Sequence, residues 1–212
     1  MFSQQLINAL SLGSVYALFA LGFTLIFGVL GVINLAHGAV FMLGSYMALL
    51  LVEQFSLPIL PALILAMLGS GLIAVLIDFL VLRPLRARNA PHLAPMIATI
   101  GVAILVTNLM QGRMKKTQLG RSLRAIAESP KAAALLGIPV ESLFYFTSFL
   151  AGALGGAAGV LVGLSFNAIS PFMGQPMLHK GIAVIILGGM GDIRGALIGG
   201  IFLGFAEVFS VA

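Results

Sequence analysis

Long runs of apolar residues alternate with short polar stretches along most of the chain. Seven apolar segments follow one another, at residues 6–30, 39–52, 57–82, 93–110, 142–166, 182–190 and 196–212. A membrane-spanning helix needs about 20 apolar residues, which the first, third and fifth segments provide. The second and sixth are short, so we expect half-helices or broken spans there. The pattern predicts an all-α fold: a polytopic transmembrane helical bundle with broken or re-entrant helices.

The composition disfavours most alternatives to a membrane protein. Of the 212 residues, 60% are hydrophobic and 8% are charged, whereas a soluble domain carries roughly a quarter charged residues. A soluble enzyme, a nucleic-acid module and a disordered chain are therefore all disfavoured. The sequence has no cysteine, which excludes disulfides and thiolate metal sites. Since no hydrolytic constellation is visible either, we expect no enzyme activity, no metal and no cofactor.

Basic residues form two clusters that predict the sidedness of the chain. One cluster lies at 83–88 and the other within a polar stretch at 111–141. The positive-inside rule places both in the cytoplasm. Only one apolar segment, 93–110, separates them, and a single full crossing would place them on opposite sides. Either that segment is re-entrant, or a return helix is missing near 111–112.

Asn34 and His37 lie between the first two apolar segments, in the sequence GVINLAHG at 31–38. Polar side chains at membrane depth are costly unless they are paired or face a cavity. Two interpretations remain open. The residues line a substrate path at a broken helix, or they form interhelical hydrogen bonds that fix a bend. A zinc site is a poor interpretation of one histidine, because zinc needs several convergent ligands.

The polar stretch at 111–141 is predicted to be a cytoplasmic loop that contains one short helix. Ser129 suits the N-cap, Pro130 the first helical position, and Gly137 the residue that ends the helix. Its small and apolar face suits docking into the groove of a partner protein. A helix that lies on lipid headgroups is the alternative.

Two glycine-rich stretches are predicted to serve packing and turning. In the apolar stretch at 152–163, glycines recur at helical spacing, which is typical of closely packed membrane helices. The second stretch, LGGMGDIRGA at 187–196, lacks the Lys-Ser/Thr pair of a phosphate-binding loop. We interpret it as a tight turn between two membrane segments, in which Asp192 and Arg194 pair locally or Arg194 contacts a lipid phosphate. Glu207 is an isolated acid in the last apolar segment, which is thin support for a proton-driven mechanism.

Motifs along nearly the whole chain match one known family. They are LGSVYAL, NLAHG, MLGSY, GRSLRAIAE, AALLGI and ILGGMG, at 12–18, 34–38, 42–46, 120–128, 133–138 and 186–191. In these motifs and their order, the chain resembles the permease subunit of bacterial ABC importers for branched-chain amino acids. The resemblance implies a single transmembrane permease domain over 1–212, in the cell inner (plasma) membrane.

The resemblance also implies a division of labour with other proteins. The partners are a second permease subunit, two cytoplasmic ATPase subunits and a periplasmic substrate-binding protein. Membrane lipid surrounds the chain, and no nucleic acid is involved. Asn34 and His37 are the candidates to line a mostly apolar substrate pathway. The loop that contacts the ATPase in the family corresponds to 128–138, which implies coupling through Glu128, Ala132, Ala133, Leu135, Leu136 and Gly137.

The chain departs from the family in two places. The external loop and returning helix expected after Asn108 are missing, at the point where the charge argument failed. A last helix after Glu207 is missing too. Three alternatives stay open: a permease of the same family for urea or short amides, a stand-alone secondary transporter or channel that uses ion gradients, and a non-functional truncated membrane copy.

Overall fold

Helices make up all the regular structure among the described residues. A computed structural model describes residues 2–87, 97–106, 140–166 and 168–210. Its helices are α1 Phe2–Leu30, α2 His37–Phe55, α3 Ile59–Ile77, α4 Arg83–Ala87, α5 Ile97–Val106, α6 Val140–Phe166, α7 Gly174–Gly188 and α8 Ile193–Ser210. Within these ranges, five helical stretches are long and apolar enough to cross a membrane, namely α1, α2, α3 with its continuation, α6 and α8. The prediction of an all-α polytopic bundle is confirmed.

The first two helices end where the backbone adopts a left-handed conformation. Gly31 stops α1: its φ is 66°, and its N–H donates to the carbonyl of Phe27 at 2.8 Å. Ser56, with a φ of 51°, stops α2. The expected half-helix at the second apolar segment is wrong, because α2 has 19 residues. Polar residues at both of its ends continue the helix, although they interrupt the apolar pattern.

Helix α3 continues into α4 through one π-helical turn at Asp78–Leu82. In this turn the N–H of Arg83 donates to the carbonyl of Asp78, five residues earlier. Pro84 explains the wider turn, since a proline ring clashes with the carbonyl four residues before it in a regular α-helix. The Arg83 guanidinium lies 5.8 Å from the centre of the Tyr145 ring in α6. The positive-inside rule predicts that this end of the bundle is cytoplasmic.

Helix α6 contacts α1, α2 and α3, and its glycines lie at these contacts. A Cβ atom built at Gly152 would lie 2.8 Å from the carbonyl oxygen of Ser70 in α3. One built at Gly159 would lie 2.8 Å from Oγ of Ser45 in α2. Only a residue without a side chain lets the backbones approach this closely. The prediction that this stretch serves packing is confirmed.

Helices α1 and α8 cross antiparallel at a second glycine contact. A Cβ built at Gly13 would lie 2.9 Å from Cα of Ile201, and one at Gly204 would lie 3.0 Å from the carbonyl oxygen of Ala9. The first half of α1 is otherwise largely exposed in the described structure. This crossing therefore joins the start of the chain to its last described helix.

Helix α7 is short, and a tight turn at 189–192 joins it to α8. It has 15 residues, a length of about 22 Å, so the prediction of a half-helix at the sixth apolar segment is confirmed. The turn is confirmed as well: Gly189 and Gly191 have φ values of 94° and 92°, which favour glycine. Oδ1 of Asp192 accepts the backbone N–H of Arg194 at 3.0 Å. The local contact between Asp192 and Arg194 is therefore a hydrogen bond from the Arg194 backbone to the Asp192 carboxylate. Asp192 is thus the N-cap of α8.

We predict that Gly200→Ala lowers the free energy of unfolding by about 1–3 kcal/mol. A Cβ built there would lie 2.8 Å from the Cβ of Ala17, so the backbones of α1 and α8 must separate. Gly28→Ala is the matched control, because its nearest contact is a Gly191 oxygen at 3.5 Å. Thermal unfolding in detergent measures the difference. Equal melting temperatures for the two variants would contradict the close crossing.

Candidate functional site

The chain turns back into the bundle after α1. Residues 31–36 do not form a helix, and α2 begins at His37, whose Nε2 lies 3.3 Å from the carbonyl oxygen of Phe19. Phe19 lies about 16 Å from the end of α1 at Leu30, at 1.5 Å per residue. Helix α2 therefore starts deep inside the bundle. The helical structure is therefore interrupted at residues 31–36, between the first two apolar segments.

Asn34 and its neighbours satisfy the backbone groups that the break leaves without helical partners. Oδ1 of the buried Asn34 accepts the N–H of Ala36 at 3.1 Å. The N–H of Leu35 donates to Oγ1 of Thr99 in α5 at 3.0 Å. The same Thr99 hydroxyl donates to the carbonyl of Ile33 at 3.4 Å. Non-helical backbone at membrane depth requires such partners.

His37 is 1% exposed and is enclosed by α1 and α6. Its Cε1 would lie 2.9 Å from a Cβ built at Gly22 and 2.7 Å from one built at Gly155. The ring centres of Phe19 and Phe23 lie 4.7 and 5.7 Å from that of the histidine. These are the contacts of a side chain that joins helices, the second of the two interpretations that the sequence left open.

A cavity of 380 Å³ lies next to the break, between α2, α5 and α7. The N-terminal ends of α2 and α7 meet at this cavity, where a Cβ built at Gly38 would lie 2.5 Å from the carbonyl oxygen of Gly174. Gln175 and His179 of α7 bring polar groups to it. Asn34 and His37 are not among the residues that line this cavity. The apolar part of the wall includes Leu35, Ala39, Met42, Ile104, Leu178 and Ile182.

A charged cluster that the sequence analysis missed joins α1, α7 and α8. The Lys180 ammonium of α7 lies 2.6 and 2.8 Å from the two carboxylate oxygens of Glu207 in α8. Tyr16 of α1 accepts a hydrogen bond from Lys180 at 2.5 Å and donates one to Glu207 at 2.7 Å. Glu207 is therefore not isolated. The available signal was a lysine just before one apolar segment and a glutamate inside the next, because charges at membrane depth pair.

Comparison with protein families identifies the chain. The family described as the permease component of branched-chain amino acid transport systems matches residues 5–114 and 102–212. The chain belongs to this permease family.

Three relatives of the permease show how far the similarity extends. It is 32% identical to the high-affinity branched-chain amino acid transport system permease protein BraD of Pseudomonas aeruginosa, over 98% of the chain and 86% of BraD. It is 30% identical to LivH of Escherichia coli K12, a protein of the same description, over 100% of the chain and 86% of LivH. A probable branched-chain amino acid transport permease protein of Methanocaldococcus jannaschii is 30% identical over 94% of the chain and 78% of its own length. No solved structure matches the permease.

The comparisons also bear on the expected internal deletion. The alignment with BraD spans 265 positions, more than the 212 residues of the permease, so BraD has residues that the permease lacks. The two matched ranges overlap at 102–114, where the external loop and returning helix were expected. This overlap supports an interruption of the family pattern at that point. Together with the five helical stretches that are long and apolar enough to cross a membrane, membership of this family makes the permease a multi-pass membrane protein.

The predicted coupling loop at 111–141 lies almost entirely outside the described residues, which resume at 140. The six coupling residues predicted from the resemblance fall in that gap, so their role stays a prediction. They are Glu128, Ala132, Ala133, Leu135, Leu136 and Gly137.

We predict that His37→Ala lowers the stability of the permease by about 2–5 kcal/mol, because it leaves an unfilled space between α1 and α6. His179→Ala is the control, since this side chain is exposed on α7 and its removal leaves helix packing intact. Thermal unfolding of both variants in the same detergent makes the comparison. If both variants melt with the parent protein, His37 does not join these helices.

Proposed function

We propose that the chain is the permease subunit of an ATP-binding cassette importer for branched-chain amino acids in the cell inner (plasma) membrane. Separate cytoplasmic ATPase subunits drive the transport, and the permease itself has no enzyme activity. The observation that carries this proposal is the similarity to branched-chain amino acid permeases over at least 98% of the chain in two relatives. The relatives' names state the substrate class for those proteins, and the cavity chemistry supports the same class here.

The cavity suits a zwitterion with an apolar side chain. Aliphatic side chains form most of its wall, including Leu178 and Ile182 of α7. The N-termini of α2 and α7 meet there, and a helix N-terminus carries partial positive charge. In transporters, broken-helix N-termini face anionic substrate groups. We assign the carboxylate of the amino acid to the Gly38–Gly174 side of the cavity and its side chain to the aliphatic wall.

Asn34 and His37 belong to this pathway as the residues that hold its wall. Asn34 fixes the re-entrant backbone before α2, and His37 fixes the first turn of α2 against α1. Their side chains face protein, so their contribution is the position of Gly38 and Ala39, which line the cavity. The residues that line the cavity are the ones that contact the substrate directly.

The proposed assembly places partners on both sides of the membrane. A second permease subunit completes the pathway, and a periplasmic substrate-binding protein delivers the amino acid. Two ATPase subunits dock on the predicted helix at 130–136, where ATP binding favours one conformation of the permease.

Relatives that match the chain nearly in full are named for branched-chain amino acids, which favours these substrates over urea and short amides. A measurement of transport also distinguishes an active permease subunit from a non-functional truncated copy, because only the active subunit supports uptake.

We expect Leu178→Trp to lower ATP-dependent uptake of labelled leucine at least tenfold, because the indole fills part of the cavity. Ile186→Trp is the matched control on the same helix: Ile186 is 63% exposed and does not line the cavity. Uptake is measured in proteoliposomes that contain the permease, its partner subunits and the binding protein. Equal uptake by the two variants would place the pathway elsewhere. No uptake by the parent protein would favour the truncated-copy alternative.

We expect Ala133→Asp and Leu136→Asp each to abolish co-purification of the ATPase while the permease still inserts in the membrane. A charge on the small, apolar face of the predicted helix opposes burial in a groove. Thr117→Asp, in the same loop but outside the predicted helix, serves as the control. Co-purification unchanged by either helix variant would argue against docking at 130–136.

A further inference from the structure

The cluster of Lys180, Glu207 and Tyr16 links three helices that are distant in sequence. Each member contacts both others: the ammonium donates to the carboxylate and to the phenol, and the phenol donates to the carboxylate. The ammonium also lies 4.8 Å from the centre of the Tyr16 ring. The cluster therefore holds α7 to α1 and α8 through three side chains.

This cluster lies at membrane depth. Tyr16 is in the middle of α1, about 21 Å from each end of that helix. Charged groups at such a depth are costly and are found paired, often at functional positions. The Lys180 and Glu207 side chains are 36% and 37% exposed in the described structure, so other parts of the protein do not fully enclose them. Their charges are compensated instead by hydrogen bonds to each other and to Tyr16.

The cluster and the cavity lie on opposite faces of α7. The cavity is lined by Gln175, Leu178, His179 and Ile182, which share one face at 3.6 residues per turn. Lys180 lies roughly 150° around the helix from the centre of that face. Helix α7 has 15 residues, which is too short to cross the membrane alone. The position of its cavity face therefore depends on its contacts with neighbouring helices.

We propose that Lys180, Glu207 and Tyr16 are positioning residues that hold the half-helix α7 from behind and so fix the cavity wall on its other face. The cluster acts through α7 and does not touch the substrate. The inference rests on the proposed function only in calling the cavity a transport pathway. The mechanical link between cluster and cavity wall stands on the contacts alone, and it can be tested without transport.

The natural chain has no cysteine, so one introduced thiol reports on one position. Gln175→Cys places the reporter on the cavity face of α7, and Gln54→Cys places a control reporter at the exposed end of α2. Each reporter is combined with Lys180→Met, with Glu207→Gln, with Lys180→Arg and with the exchange Lys180→Glu/Glu207→Lys. The rate of thiol labelling by a water-soluble maleimide is measured on the full-length protein in detergent.

We expect Lys180→Met and Glu207→Gln each to change the labelling rate at Gln175→Cys at least threefold while the rate at Gln54→Cys stays within a factor of two. Lys180→Arg, which keeps the charge, returns the Gln175→Cys rate to within a factor of two of the parent, and the charge exchange does the same. An unchanged rate at Gln175→Cys in both single variants would overturn the proposal. Equal changes at both reporters would overturn it too, because they indicate general loosening of the fold.

Discussion

Backbone groups inside a membrane need hydrogen-bond partners from the protein itself, and the site depends on how the chain meets this requirement at residues 31–36. A straight helix satisfies its own backbone, but it offers a ligand no helix end at membrane depth. Here the helix stops at Gly31 and restarts at His37, and the gap is closed by Asn34 and Thr99. That closure lets the N-terminus of α2 face α7 beside a cavity.

Glycine makes the second half of this arrangement possible. Enclosing the ring of His37 between α1 and α6 requires that both helices lack a side chain there, at Gly22 and Gly155. The meeting of α2 and α7 likewise requires Gly38 and Gly174. Hydrocarbon supplies no hydrophobic force between helices, so close backbone contact is a main source of their association. The glycines that bring the helices together also bring the helix ends to the cavity.

The sequence predicted those parts of the fold that depend on neighbouring residues. Polar Asn34 and His37 between apolar runs indicated the break, and the glycine spacing at 152–163 indicated close packing. It underestimated α2, because apolar runs end at the first polar residue while helical hydrogen bonds continue. It also missed the Lys180–Glu207 pair. Lys180 precedes the apolar run at 182–190, whereas α7 already begins at Gly174.

The two helices whose N-termini meet at the cavity are supported in different ways. Helix α2 packs along α3 and α6 through glycine and serine, whereas α7 packs on α1 and α8 and carries an ion pair. The cavity lies between these two groups of helices, and the groups also meet at the close-packed contact of α1 with α6 around His37. A ligand in this cavity would contact residues of both groups, so a change in their relative position would alter its contacts.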